Sequence, residues 1–195
     1  MGGTFDPIHF GHLILAEQAR ERFALDQVLF VTAADPPHKS GKVETPAQER
    51  HQMVCRALHD NGVFVPSTVE LDRPGPSYTI DTIRQLRETL GDGTRIYLLL
   101  GADEARDLMS WRDPYGIQEL ATIVVANRPG CPIGEVMSSL PDDLASRIEP
   151  LEMPGVDISS SDLRSRIRAG RSIRYLTPEP VKSYIMSRDL YRGNR

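Results

Sequence analysis

Two histidines that follow a pair of glycines, His9 and His12, are the residues of this sequence with the most evident chemical use. They stand three positions apart, so both imidazole rings lie on one face if the segment is helical, and both can donate to one phosphate group. The preceding Gly2 and Gly3 let the backbone approach a ligand closely. A helix that begins near Gly11 would aim unpaired N–H groups and its positive dipole end at an anion. The stretch therefore predicts a phosphate site.

The same two histidines, His9 and His12, could instead hold zinc. Zinc sites use three or four ligands, however, and no cysteine, glutamate or further histidine follows at the usual ligand spacing. We therefore expect no metal ion that is bound directly by protein side chains.

A second candidate phosphate site is the serine run formed by Ser159, Ser160 and Ser161. One hydroxyl can cap the helix that follows, while the others and the exposed N–H groups of the first turn bind phosphate. Arg164, one turn into that helix, can reach the same anion. Helix capping alone would explain a serine run, so the functional interpretation depends on its pairing with the N-terminal motif.

Apolar runs alternate with helical patterns, which predicts an α/β fold: a Rossmann-like, doubly wound parallel sheet with helices on both faces and a C-terminal helical segment. We expect strands over residues 28–31, 63–65, 68–71, 96–100 and 123–125, and helices over residues 11–23, 46–58, 80–90 and from 178 onward. Thr45, followed by Pro46, is expected to form the capping box of the second helix. No repeat or linker interrupts the chain, so we expect one domain over residues 1–195.

A strand should lead into the first glycine turn, because parallel sheets of this kind bind ligands at the ends of their strands. The sequence supplies only Met1 at that place. We therefore expect that the natural chain begins further upstream.

Three charged residues stand where such a sheet would meet a ligand. Asp103 and Arg128 follow the apolar runs 98–100 and 124–125, at the carboxyl ends of the expected strands. Lys39 could be a solvated loop lysine, but it follows Pro36 and Pro37, a rigid pair that can hold a cation against phosphate, which favours a phosphate contact.

Composition favours a compact cytoplasmic protein. The 195 residues are 39% hydrophobic, without an apolar run that could span a membrane. The net charge is −4 and the basic residues are scattered, so we expect neither a nucleic-acid partner nor a membrane partner. Cys55 and Cys131 belong to no paired motif and are expected to be reduced thiols. Monomer and homo-oligomer both remain open.

The two phosphate motifs resemble the signatures of the nucleotidylyltransferase superfamily. One signature is H-x-G-H after a glycine turn, here residues 9–12; the other is I-S-S-T-x-I-R, here residues 158–164 with Ser161 for threonine and Leu163 for isoleucine. Within the superfamily, the chain is most similar to the bacterial nicotinate-nucleotide adenylyltransferases. Further matches are residues 36–39, 77–82, 101–103 with Trp111, and 128–130.

The resemblance implies that the chain transfers the adenylyl group of ATP to nicotinate mononucleotide, with these two nucleotides as its partners and Mg²⁺ carried on the phosphates of ATP. It assigns three sets of residues. The catalytic set is His9, His12, Lys39 and Arg164; the ATP- and phosphate-binding set is Gly3, Thr4, Phe5, Gly11, Asp103, Ser159, Ser160 and Ser161; and the nicotinate-nucleotide set is Thr79, Trp111 and Arg128.

Two alternatives remain. The same phosphate machinery could serve another acceptor, such as nicotinamide mononucleotide, pantetheine phosphate or a flavin. Residues 77–82 and Trp111 disfavour pantetheine, but the amide of nicotinamide differs from the acid by one group only. The second alternative is a nucleotide-binding domain without activity, which would not require all of His9, His12, Lys39, Ser160 and Arg164.

Overall fold

Two three-stranded parallel sheets form the centre of the computed structural model, which describes residues 1–37, 43–91 and 93–193. The strand order is β1-β2-β3 in one sheet and β4-β5-β6 in the other. The strands are β1 (Gly2–Gly3), β2 (Val28–Thr32), β3 (Phe64–Ser67), β4 (Tyr97–Gly101), β5 (Thr122–Ala126) and β6 (Glu149–Leu151). The predicted open α/β fold is confirmed, with its sheet in two parts.

Nine helices of the described residues surround these strands. They are α1 (Phe10–Phe23), α2 (Ala47–Leu58), α3 (Thr79–Leu90), α4 (Ala102–Ala105), α5 (Pro114–Leu120), α6 (Ile133–Ser139), α7 (Asp142–Ala145), α8 (Ser160–Arg168) and α9 (Glu179–Ser187). None of these helices is long and apolar enough to cross a membrane.

Both faces of the second sheet are buried, which explains why its strands read as continuous apolar runs. Leu99 and Val124 pack into a cluster with α1, α2 and α9. Leu98, Leu100 and Val125 point the other way, into a cluster with α3 and α5. This alternation places helices on both faces, as predicted.

The carboxyl ends of the strands meet at one edge, because all pairs are parallel. Gly3 of β1 pairs with Thr32 of β2, and Gly101 of β4 pairs with Ala126 of β5. The segments that follow β1, β4 and β5 carry predicted site residues to this edge. Strand β1 has only two residues and is fixed by backbone hydrogen bonds, including one from Ala33 N–H to the Gly3 carbonyl.

Two local predictions are wrong. Residues 68–71 form turns instead of a strand, because Thr68 bonds to Asp72 twice: its carbonyl accepts the Asp72 N–H and its hydroxyl donates to the Asp72 carboxylate. Thr45 does not cap α2. Pro46 occupies the N-cap position without a side-chain bond, while buried Thr45 uses its carbonyl to accept from Arg50.

Candidate active site

The turn after β1 holds its shape through close contacts between Gly3, Phe5 and His12. Phe5 adopts a left-handed backbone conformation with φ of 50° and is buried. A Cβ on Gly3 would lie 2.8 Å from two atoms of the Phe5 ring, so this position requires glycine. The same ring meets the His12 ring edge-on at 5.1 Å between centroids.

His9 and His12 form one unit at the start of α1. The backbone N–H of His9 donates to Nδ1 of His12 at 3.2 Å, and the two rings stack with centroids 3.7 Å apart. Because Nδ1 of His12 accepts, the neutral ring carries its proton on Nε2, where it is a donor. His9 is the N-cap residue of α1 and has an extended backbone, so the two rings are brought together by the cap and not by a shared helix face.

His9 is neutral at physiological pH. Burial lowers its pKa to about 3, and the positive charge of Arg128 adds to the effect. Its Nδ1 is fully buried and has no hydrogen-bond partner in the described part of the chain. A buried polar atom without a partner is rare in folded proteins and often marks a place where a ligand or water binds.

The second motif is bonded directly to the first. Ser159 caps α8 by accepting the N–H of Asp162, which leaves its own hydroxyl proton available for donation. Ser160 donates its hydroxyl to the Pro7 carbonyl at 2.9 Å. Ser161 accepts a long bond of 3.4 Å from Arg164. The N-termini of α1 and α8 therefore converge on the same space.

Arg164 joins three parts of the site. It donates to the backbone carbonyl of Asp6 at 2.8 Å and forms an ion pair with Glu44 at 2.8 Å. Arg168 pairs with the other oxygen of the same carboxylate. Burial alone would raise the pKa of Glu44, but hydrogen bonds from Arg168 and Arg164 lower it below its ordinary value. Glu44 therefore stays ionised near neutral pH.

Sequence reasoning missed two buried groups that support the motif. Asp6 accepts from the hydroxyl of Tyr191 at 2.7 Å and from the N–H of Glu44 at 2.9 Å. Arg50 is 1% exposed and donates to the carbonyl of Thr4 at 2.6 Å and to two other carbonyls. These bonds fix the backbone around the glycine turn.

The residues of both motifs line one cavity of about 590 Å³. The predicted site residues in its wall are Gly3, Thr4, Phe5, His9, Gly11, His12, Asp103, Arg128, Ser159, Ser160, Ser161 and Arg164. Lys39 lies outside the described residues.

Thr79 and Trp111 line a second, smaller cavity of about 200 Å³. Thr79 is the first residue of α3, whose opening N–H groups have no partner within the helix. Arg128 was expected beside these two residues but lies in the wall of the larger cavity, where it pairs with Asp103 at 2.6 Å. Gly3 and Thr4 line both cavities, so the two adjoin at the glycine turn.

Comparison with known proteins identifies relatives of the chain. Residues 1–166 match the family model described as cytidylyltransferase-like. A protein named probable nicotinate-nucleotide adenylyltransferase in Desulfitobacterium hafniense (strain Y51) is 42% identical, covering 98% of this chain and 94% of the relative. A protein of the same name in Thermus thermophilus is 45% identical, covering 98% of this chain and 97% of the relative.

Solved structures share the fold. Nicotinic acid mononucleotide adenylyltransferase of Plasmodium falciparum, complexed with NaAD, superposes with a TM-score of 0.81 over 99% of this chain and 96% of that one, at 19% identity. The same Plasmodium falciparum protein complexed with APC gives a TM-score of 0.77, again at 19% identity. At this identity, the similarity shows the architecture alone.

Proposed function

The chain belongs to the cytidylyltransferase-like family, and we propose that it transfers the adenylyl group of ATP to nicotinate mononucleotide, giving nicotinate adenine dinucleotide and pyrophosphate in NAD biosynthesis. The observation that carries the proposal is the convergence of the N-termini of α1 and α8, with His9, His12 and Arg164, on one cavity. A smaller cavity adjoins it, so the site has separate room for two substrates.

The reaction makes physical demands that this arrangement can meet. The 5′-phosphate of the acceptor is largely dianionic near neutral pH because its second pKa is about 6, so it needs no general base. Its oxygen attacks the α-phosphorus of ATP, and the bond from that phosphorus to the bridging oxygen of pyrophosphate breaks. The protein must align the two phosphates, reduce their repulsion and stabilise the charge that develops on the leaving group.

His12 is best placed to stabilise that charge, because its Nε2–H is a donor in the wall of the larger cavity. His9 stays neutral, so it would contribute a hydrogen bond instead of a full charge; a phosphate oxygen or bridging water would satisfy its buried nitrogen. Ser159 and the first N–H groups of α8 would bind the outer phosphates, with Arg164 beside them. Lys39 stays a predicted phosphate contact.

The site fits Mg²⁺ that enters with the triphosphate. No three histidine, cysteine or carboxylate side chains are grouped as a metal site within residues 1–37, 43–91 and 93–193. Asp6 is already engaged by Tyr191 and Glu44, and Asp103 by Arg128. Phosphate oxygens and water would therefore hold the ion, which neutralises part of the triphosphate charge.

The smaller cavity would take the nicotinate ring. Trp111 offers an aromatic surface for stacking, and Thr79 with the neighbouring N–H groups of α3 would bind the carboxylate. Asp103, at the larger cavity, is suited to bind the ribose or adenosine of ATP.

A pyrophosphate-release assay with ATP and a panel of acceptors tests this function. The panel contains nicotinate mononucleotide, nicotinamide mononucleotide, pantetheine phosphate and flavin mononucleotide. We expect the highest kcat/KM with nicotinate mononucleotide. A higher kcat/KM with another acceptor would assign that acceptor as the substrate. Absence of pyrophosphate release with every acceptor would indicate a nucleotide-binding domain without activity.

A further inference from the structure

The smaller cavity carries side-chain charge of mostly one sign. Its described wall includes three carboxylates, those of Glu70, Glu104 and Asp107, and one guanidinium, that of Arg112. An acceptor that brings a carboxylate of its own into this cavity would be repelled unless a cation stands beside it. Arg112 is the cationic side chain that the described wall offers.

Arg112 is oriented without being locked in place. Its guanidinium carbon lies 4.8 Å from the centre of the Tyr78 ring, and both residues line the cavity. A guanidinium stacked on an aromatic ring keeps its N–H donors pre-organised for a planar carboxylate. Its ion pair with Asp81 is long, at 3.4 Å, and the Arg112 side chain is 58% exposed, so the pair is weak and can exchange.

Asp81 would keep a cationic partner after such an exchange. Arg84 lies 3.7 Å from the other oxygen of the same carboxylate and also pairs with Asp113 at 3.1 Å. Turning Arg112 toward a ligand therefore leaves no carboxylate of this network without a positive neighbour.

We infer that Arg112 is a specificity-determining residue that binds the carboxylate of nicotinate mononucleotide and so favours the acid over its amide. The inference rests on the proposed function. A carboxylate can accept two parallel N–H bonds from a guanidinium, whereas the amide offers one acceptor oxygen and an NH₂ group that would face donors. Arg112 thus adds a charge-selective contact to those expected from Thr79 and α3.

The test compares kcat and KM for the acid and the amide acceptor, at saturating ATP, in the wild type and three variants. Arg112→Gln should lower kcat/KM for the acid about 10- to 100-fold, mainly through KM, with little change for the amide. Arg112→Lys keeps the charge and should recover part of the preference. Arg106→Gln is the matched control: Arg106 is also an exposed arginine with a long ion pair, 3.4 Å to Glu135, but it lies outside the cavity wall and should keep the wild-type ratio.

An acid-to-amide ratio in Arg112→Gln equal to that of the wild type would overturn the inference. Equal losses with both acceptors, or a raised KM for ATP, would also overturn it, because they would show a general structural role. Under each of these results the adenylyl transfer itself still stands. Absence of turnover with both acceptors in the wild type would instead refute the proposed function, and the inference with it.

Discussion

Replacing Gly11 by alanine should damage the reaction while leaving the fold intact. Gly11 is the second residue of α1, and a Cβ there would lie 3.0 Å from Nδ1 and 3.1 Å from Cε1 of His9. Ordinary van der Waals contact begins at 3.4 Å, so the ring must move by 3.4 − 3.0 = 0.4 Å. The His12 ring stacked at 3.7 Å restricts that movement, so both rings should shift together.

The expected losses follow from this displacement. A misplacement of about 1 Å can cost about 100-fold in rate, so a shift of a few tenths of an ångström should lower kcat/KM by about 5-fold. Alanine in a helix is favoured over glycine by about 1 kcal/mol, and overpacking typically costs about 1–3 kcal/mol. The free energy of unfolding should therefore change by no more than about 2 kcal/mol.

Gly134→Ala is the matched control for Gly11→Ala. Gly134 is also the second residue of its helix, α6, and a Cβ there has no atom within 4 Å. We expect this variant to keep wild-type kcat/KM and to gain up to about 1 kcal/mol in stability. Steady-state kinetics and urea denaturation of both variants provide the comparison. Wild-type activity in Gly11→Ala would refute the claim that the position of the His9 ring controls the reaction.

Three further predictions concern the two histidines and the tryptophan. His12→Ala should lower kcat by orders of magnitude, because it removes charge stabilisation. The control His59→Ala, at the exposed end of α2, should leave kcat unchanged. Equal effects of the two variants in steady-state assays would contradict this prediction. His9 has a folded pKa of about 3 against 6.5 ordinarily, so the unfolded chain takes up the proton first, and stability is lost as pH falls from 6.5 toward 3. From pH 7 to pH 5, the free energy of unfolding measured by urea denaturation should therefore fall by about 2 kcal/mol more in the wild type than in His9→Gln. Identical losses in the two proteins would argue against a buried neutral ring. Trp111→Ala should raise KM for the mononucleotide and leave KM for ATP unchanged; a defect confined to ATP would reverse the assignment of the two cavities.

Local patterns made the two phosphate motifs predictable from the sequence. The spacing of His9 and His12 and the serine run at Ser159 are each contained within one helical turn. Helix geometry then determines which groups share a face and which N–H groups stay unpaired. The buried strands were predictable for a similar reason, because a strand that is buried on both faces is a continuous run of apolar residues.

The supporting contacts were not predictable, because they join residues that are distant in the sequence. Arg50 reaches Thr4 across 46 positions, and Tyr191 reaches Asp6 across 185. No periodicity or capping rule connects such pairs, and a buried arginine that binds carbonyls has no local signature. Residues 68–71 failed for the opposite reason: a strand-like composition was overridden by the hydrogen bonds between Thr68 and Asp72.

Arg128 shows a limit of predicting site residues from their position just after a parallel strand. Its position after the apolar run 124–125 predicted that it lies at the ligand edge of the sheet, and the structure has it there, in the wall of the larger cavity. Which of the two adjoining cavities Arg128 faces depends on its bonds to Asp103 and to the carbonyl of Ile158, which lie in α4 and in the segment before α8.

The fate of the α-phosphorus of ATP tests the central claim most directly. The protein is incubated with nicotinate mononucleotide and ATP that carries a radioactive label on either the α- or the γ-phosphate, and the products are separated. Adenylyl transfer sends the α-label into the dinucleotide and the γ-label into pyrophosphate, in equal amounts. A γ-label recovered on the acceptor, or an α-label recovered only as AMP, would contradict the account, because the first indicates phosphoryl transfer and the second hydrolysis.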